Sequence, residues 1–127
     1  MENNAKVLLE RAIELDPNLA NAHYKLGVLY QSQQDFSSAI EYFQQAVTLD
    51  PSFPAAECEL AIELGREKKY EEAREHFLNA LEADPNFKKA YFHYALLLVE
   101  INDIEEAKNN FEKVAEIDQN FAPAYFH

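Results

Sequence analysis

Apolar residues recur along this chain at the three- and four-residue spacing of an amphipathic helix, in one stretch after another. Early on, Leu26, Leu29 and Tyr30 share one face; a little later Ala39, Ile40, Phe43, Ala46 and Val47 share another. Two kinds of interruption separate these stretches. Polar pairs at Gln34-Asp35, Lys68-Lys69 and Asn102-Asp103 divide them into couples. Between the couples, Leu15-Asp16-Pro17-Asn18 returns as Leu49-Asp50-Pro51-Ser52, as Ala83-Asp84-Pro85-Asn86 and as Ile117-Asp118-Gln119-Asn120. Proline pushes the residue before it out of the helical region, so each Asp-Pro predicts a helix stop and a corner. An apolar residue closes each corner: Leu19, Phe53, Phe87 and Phe121.

The period is fixed. Pro17, Pro51, Pro85 and Gln119 stand at a constant spacing of 34 residues, from position 17 to position 119. The pattern predicts an all-α chain of antiparallel helix pairs, one domain over 1–127: a half repeat at 1–19, full repeats at 20–53, 54–87 and 88–121, and a partial repeat at 122–127. Ala5, Leu9, Ala12 and Ile13 match the second helix of a repeat; Ala122 to His127 begins another first helix. Neither end carries the polar cap usual for a solenoid. The chain therefore reads as a segment of a longer array, or as a solenoid that closes its ends on a neighbouring molecule.

Small residues recur where helices must approach closely: Gly27, Ala61 and Ala95 at the eighth place of the repeats, and Ala39, Ala73 and Ala107 at the twentieth. Large ones alternate with them, notably Phe43, Phe77 and Phe111 at one place. Small against large is how interdigitated helix packing is built. Leu26-Gly27, Tyr30, Ala39, Phe43, Ala46 and Pro51 together resemble the tetratricopeptide repeat family, a helix–turn–helix of this period. The second repeat keeps Leu60, Ala73, Phe77, Ala80 and Pro85; the third keeps Ala107 and Phe111 and departs at Tyr94, Ala95, Leu98 and Gln119. The resemblance implies a right-handed α-solenoid, a superhelix with the first helices on its concave face, and a non-catalytic scaffold for protein–protein interaction.

Composition narrows the function. With 11 basic and 23 acidic residues the formal charge is −12, which disfavours nucleic-acid phosphates and anionic lipid. No nucleic-acid or membrane partner is expected. The start lacks a secretory signal, and Tyr91 to Val99, the most apolar stretch, is too short to span a bilayer, so a cytoplasmic place is the default expectation. Cys58 is the only cysteine, which rules out an intramolecular disulfide.

The repeat register selects candidate ligand-groove residues. The fifth place gives Tyr24, Cys58, Phe92 and Phe126; the ninth gives Val28, Ile62 and Leu96; the twelfth gives Gln31, Gly65 and Val99. The result is an apolar stripe with Gly65 as a gap in its wall, suited to a helix or extended peptide of a partner. Lys25, Glu59, Arg66, Lys89, His93, Glu100 and His127 flank it with a small positive balance, so the acidity should lie on the convex face. A mostly apolar ligand, with an acidic group near Lys89 and Arg66, is the expectation. The bland alternative is that the stripe only packs between helices.

Two binding modes of the resembled family can be compared place by place. The carboxylate clamp of its co-chaperones wants Lys and Asn, then Asn, then Lys and Arg; the matching places hold Tyr24 and Val28, Glu59, Lys89 and His93, and only Lys89 agrees. The asparagine ladder of the sugar-transferase-associated arrays is replaced by Lys25, Glu59, His93 and His127. Catalytic residues, cofactors and metals are not expected. Cys58, His93 and His127 sit on successive hairpins, not at the clustered spacing zinc requires, and no phosphate-cradling glycine loop is present. Glu71-Glu72 and Glu105-Glu106 begin second helices, where carboxylates favour the helix dipole. Two further readings compete with peptide binding: a head-to-tail homo-oligomer through the incomplete terminal repeats, and a targeting module of a larger enzyme.

Overall fold

The fold is known from a computed structural model, which describes residues 2–121, with side chains described over 4–118. Among the described residues seven helices follow one another: α1 Glu2–Leu15, α2 Ala20–Ser32, α3 Phe36–Leu49, α4 Pro54–Arg66, α5 Tyr70–Ala83, α6 Lys88–Glu100 and α7 Ile104–Phe121. Each packs on its neighbours in sequence, most extensively within the hairpins α2–α3, α4–α5 and α6–α7, and α4 also meets α6 directly. This is the stacked-hairpin solenoid that the repeat period predicts.

The turns inside the hairpins are built alike. Gln34, Lys68 and Asn102 adopt left-handed backbone, with φ of 64°, 64° and 66°. The next residue's N–H then reaches back over the helix end: Asp35 to the Tyr30 carbonyl at 2.9 Å, Lys69 to Leu64 at 3.0 Å and Asp103 to Leu98 at 2.8 Å. This closure satisfies carbonyls that a helix C-terminus leaves open, and it usually takes glycine at the left-handed place. Here non-glycine residues accept that conformation three times.

The corners between hairpins use the Asp-Pro signal. Asp50 and Asp84 leave the helix in extended conformation ahead of proline. Their carboxylates, and that of Asp16, each accept the N–H two residues on at 3.1 Å. The fourth expected corner does not form: α7 runs on through Asp118-Gln119-Asn120 to Phe121. Gln119 supplies the N–H that proline lacks and leaves Asp118 free to stay helical, so nothing stops the helix there. The partial repeat at 122–127 lies outside the described residues.

Packing follows the small-large alternation. Phe43, Leu60, Leu64, Phe77, Tyr94 and Leu98 form a buried cluster that runs from one hairpin to the next. Gly27 is required by its neighbour: a Cβ there would lie 2.6 Å from Cε1 of Phe43. One polar knot ties the second hairpin to the third. Arg74 donates from Nε to the Tyr94 hydroxyl at 3.1 Å and from Nη2 to Asp103 and Glu106 at 3.3 and 2.9 Å. The fourth-place side chains hold the corners. His23 Nε2 lies 3.1 Å from the Pro17 carbonyl, and the Tyr91 hydroxyl donates to that of Pro85 at 2.9 Å. Buried Glu57 instead meets His76 Nδ1 at 2.6 Å.

Candidate ligand groove

The first helices adjoin one another: α4 meets α6 directly, and Gln31 on α2 reaches Glu59 and Glu63 on α4. Val28, Phe92 and Leu96 are exposed on them, Phe92 by 42% and Leu96 by 45%. Tyr24, Ile62 and His93 are half-buried, and Lys25, Arg66 and Lys89 are exposed. Phe92 stands edge-on to His93 and to Phe111, with ring centroids 5.4 and 6.0 Å apart. An edge-to-face arrangement fixes an aromatic while leaving its outer edge free.

Two expected groove residues, Cys58 and Val99, are placed elsewhere. Cys58 is fully buried beneath the groove and offers no surface to a ligand. Burial, with the Glu59 charge beside it, pushes its thiol up to about 12, so it stays protonated and inert. Val99 is exposed but opens onto a separate apolar hollow with Ile104 and Phe111 on α7. Phe126 and His127 lie outside the described residues.

The polar groups correct the expected electrostatics. Lys89 Nζ pairs closely with Glu59 Oε2, whose other oxygen accepts from Gln31 Nε2 at 3.0 Å. The same Gln31 nitrogen donates to Glu63 Oε2 at 2.7 Å, and Arg66 Nε sits 3.2 Å from Glu63 Oε1. The Arg66 guanidinium also lies over the Phe36 ring, 5.0 Å from its centroid. Both cations that were expected to receive an acidic ligand are thus already held by carboxylates of α4. With Glu63 included, Lys25, Arg66 and Lys89 are balanced by Glu59, Glu63 and Glu100, and the groove is near neutral.

These pairs shift their neighbours' titration. Burial alone would lower the Lys89 pKa, but the hydrogen bond and charge of Glu59 outweigh it and hold it above the usual value. Burial, then the Glu59 charge, raises the Tyr24 hydroxyl. Burial, then the Lys89 and Arg66 charges, pushes the His93 imidazole down against the opposing pull of Glu59. His93 is therefore neutral near neutral pH.

Glu63, which the repeat register does not select, joins this polar set through Gln31 and Arg66. It is fully buried, a place where a carboxyl group is rarely found unpaired. Its signal was present: Glu59 and Glu63 stand four apart on α4, with Arg66 three further on, so all three share a helix face. Among the described residues no three His, Cys, Asp or Glu side chains are grouped to hold a metal ion, and no helix is long and apolar enough to cross a membrane.

Between α4 and α6 the groove deepens into a recess of about 210 Å³, with Ile62, Gly65, Phe77 and Leu97 in its wall and Arg66, His93, Leu96 and Glu100 around its mouth. Six of the expected residues, Ile62, Gly65, Arg66, His93, Leu96 and Glu100, meet there.

Comparisons with known proteins bear on the whole chain. Models of the tetratricopeptide repeat match residues 20–53, 64–127 and 3–34. No curated protein matches. Among solved structures, a crystal structure of MamA is similar with a TM-score of 0.86 at 24% identity, covering 96% of this chain and 71% of that one. MamA from Desulfovibrio magneticus RS-1 gives 0.81 at 22%, covering 94% and 67%. The second TPR of Spaghetti (RPAP3), bound to an HSP90 peptide, gives 0.74 at 22%, covering 77% and 91%.

Proposed function

The chain belongs to the tetratricopeptide repeat family, and from that premise we propose that it is a non-catalytic interaction scaffold that takes a segment of a partner protein in the groove lined by α2, α4 and α6. The observation that carries this reading is the exposure of large apolar side chains on the first helices: Val28, Phe92 and Leu96 stand out of the surface, and Leu96 borders a recess with half-buried Ile62. Large apolar side chains left exposed are costly unless a partner covers them. The similar TPR of Spaghetti holds an HSP90 peptide, an occupant of the kind proposed. The chemistry of the occupant differs here, because Lys89 and Arg66 are engaged by Glu59 and Glu63. An apolar segment fits this groove better than an acidic one.

The test is selection of phage-displayed random peptides on the immobilised protein, followed by titration of the selected sequences. Affinity should fall about tenfold or more with Phe92→Ala and Leu96→Ala combined, since two anchors lose their contact area. Selected peptides that bind this variant as well as the parent would sink the groove assignment.

A second reading is head-to-tail self-association. It is favoured by the exposed Val7 and Leu8 on α1, 61% and 70% accessible, and by the apolar hollow of about 430 Å³ along α7. Such a contact joins unlike surfaces and can propagate. Light scattering over a concentration series decides it: a monomer at every concentration rules it out.

A further inference from the structure

Two glycines lie inside helices of this chain, and only one has a packing reason. A Cβ on Gly27 would collide with the Phe43 ring. A Cβ on Gly65 would meet Leu97 Cδ1 at 3.6 Å, an ordinary contact. Neither glycine has a positive φ. Glycine weakens a helix relative to alanine, so at Gly65 the fold gains nothing from it. What the missing side chain provides is space. The first hairpin fills this register place with Gln31, which reaches over to Glu59 and Glu63. At Gly65 the same place is open, and the recess of about 210 Å³ lies there.

The recess has a definite chemistry. Its deep wall is apolar, from Ile62, Phe77 and Leu97. At the mouth, Arg66 is engaged by Glu63 and lies over Phe36. Glu100 accepts a hydrogen bond from the Tyr70 hydroxyl at 3.2 Å and has no cation within ion-pair range among the described residues. The mouth thus presents one unmatched negative charge beside an apolar hole, on a molecule of formal charge −12.

We infer that the recess seats one bulky aliphatic side chain of a partner segment, leucine or methionine in size, with a lysine or arginine close by in that segment received by Glu100. The inference rests on the groove reading above and sharpens it to a partner class: a basic, amphipathic peptide. The volume supports one side chain, since sites for whole small molecules run larger, roughly 300–1,000 Å³. The negative surface favours encounter with a basic segment over an acidic one.

The selected peptides supply the test, read against Gly65→Leu and Glu100→Gln of the whole protein. A leucine at 65 grows into the recess, against Leu96 at its mouth, and leaves Val28 and Phe92, which do not line it, unchanged. The expected result is a shared Leu or Met with a basic neighbour in the selected sequences. Their affinity should fall about tenfold or more with Gly65→Leu and about three- to fivefold with Glu100→Gln. Replacing the basic residue in the peptide should remove the sensitivity to Glu100→Gln. Gly65→Ala provides a second, smaller plug if the leucine disturbs folding, with circular dichroism as the check on both. Peptides that lose binding with Phe92→Ala and Leu96→Ala yet ignore both substitutions at 65 overturn the recess and leave the groove standing. Peptides indifferent to all of these substitutions, or no selection above background, overturn both.

Discussion

Replacing each helical glycine by alanine should move stability in opposite directions. In an unhindered helix the change gains up to about 1 kcal/mol, because alanine loses less backbone freedom on folding. Gly65→Ala realises most of that, reduced somewhat because Gly65 lies in the last turn of α4. Its new methyl meets only Leu97 Cδ1 at 3.6 Å. A gain of about 0.5–1 kcal/mol follows. Gly27→Ala has the same helix gain but places a methyl 2.6–2.7 Å from two ring carbons of Phe43. That ring is fully buried and packs against Tyr24 at a centroid distance of 5.9 Å. It must move by several tenths of an ångström inside a filled core, and overpacking of this kind costs about 1–3 kcal/mol. The net is a loss of about 1 kcal/mol, a fall in Tm of about 3–5 °C, against a rise for Gly65→Ala. Urea unfolding followed by circular dichroism measures both, with unchanged slopes confirming that the unfolded states are comparable. Ala61 and Ala95 occupy the register place of Gly27 in the other hairpins, so the comparison is a fair one. Equal stabilisation by both substitutions would refute the reasoning, because Phe43 could then turn aside without cost.

Three further outcomes follow from the same geometry. Lys68→Gly should stabilise by about 1 kcal/mol in the same melts, and Asn102→Gly by less, since both hold left-handed backbone but asparagine tolerates it better. Cys58 should resist a thiol reagent in the folded protein and react fully in urea, as its thiol is fully buried and raised to about 12; fast labelling of the native state would contradict that burial. His93 has a folded pKa below its usual 6.5, so the unfolded state binds the proton more readily and stability is lost as pH falls through 6.5 towards the lower folded value. His93→Gln should remove that part of the loss, seen as a smaller fall in Tm than the parent shows between about pH 7 and pH 5.

The fold was legible because its signals are local and repeated. Each Asp-Pro corner is a short-range rule, and a constant period turns three such corners into an architecture. The one corner that failed is the one where Gln119 replaces proline, so the rule broke where its physical cause was missing. The left-handed turn residues were not legible as such. Gln34 and Lys68 have no intrinsic preference for positive φ. Their conformation follows from closing α2 and α4 within a few residues of the next helix, which is a property of the hairpin and not of those side chains.

The groove was legible in its apolar half and not in its charges, for a related reason. Periodicity says which residues share a face, and Ile62, His93 and Leu96, selected by the register, all line the recess. It does not say which polar groups find one another across helices. Gln31 on α2, Glu59 and Glu63 on α4 and Lys89 on α6 join through single side-chain contacts between residues 28, 32 and 30 apart in the chain. A residue-by-residue reading counts Lys89 and Arg66 as free cations and expects an acidic ligand. The contacts make Glu59 and Glu63 the groups that hold those cations. Buried carboxyl groups without partners are costly, so Glu59 and Glu63 need Gln31, Lys89 and Arg66 as much as a ligand would. An acidic partner would have to displace an internal carboxylate that is already in place. A basic one meets Glu100, whose only hydrogen bond among the described residues comes from a neutral hydroxyl.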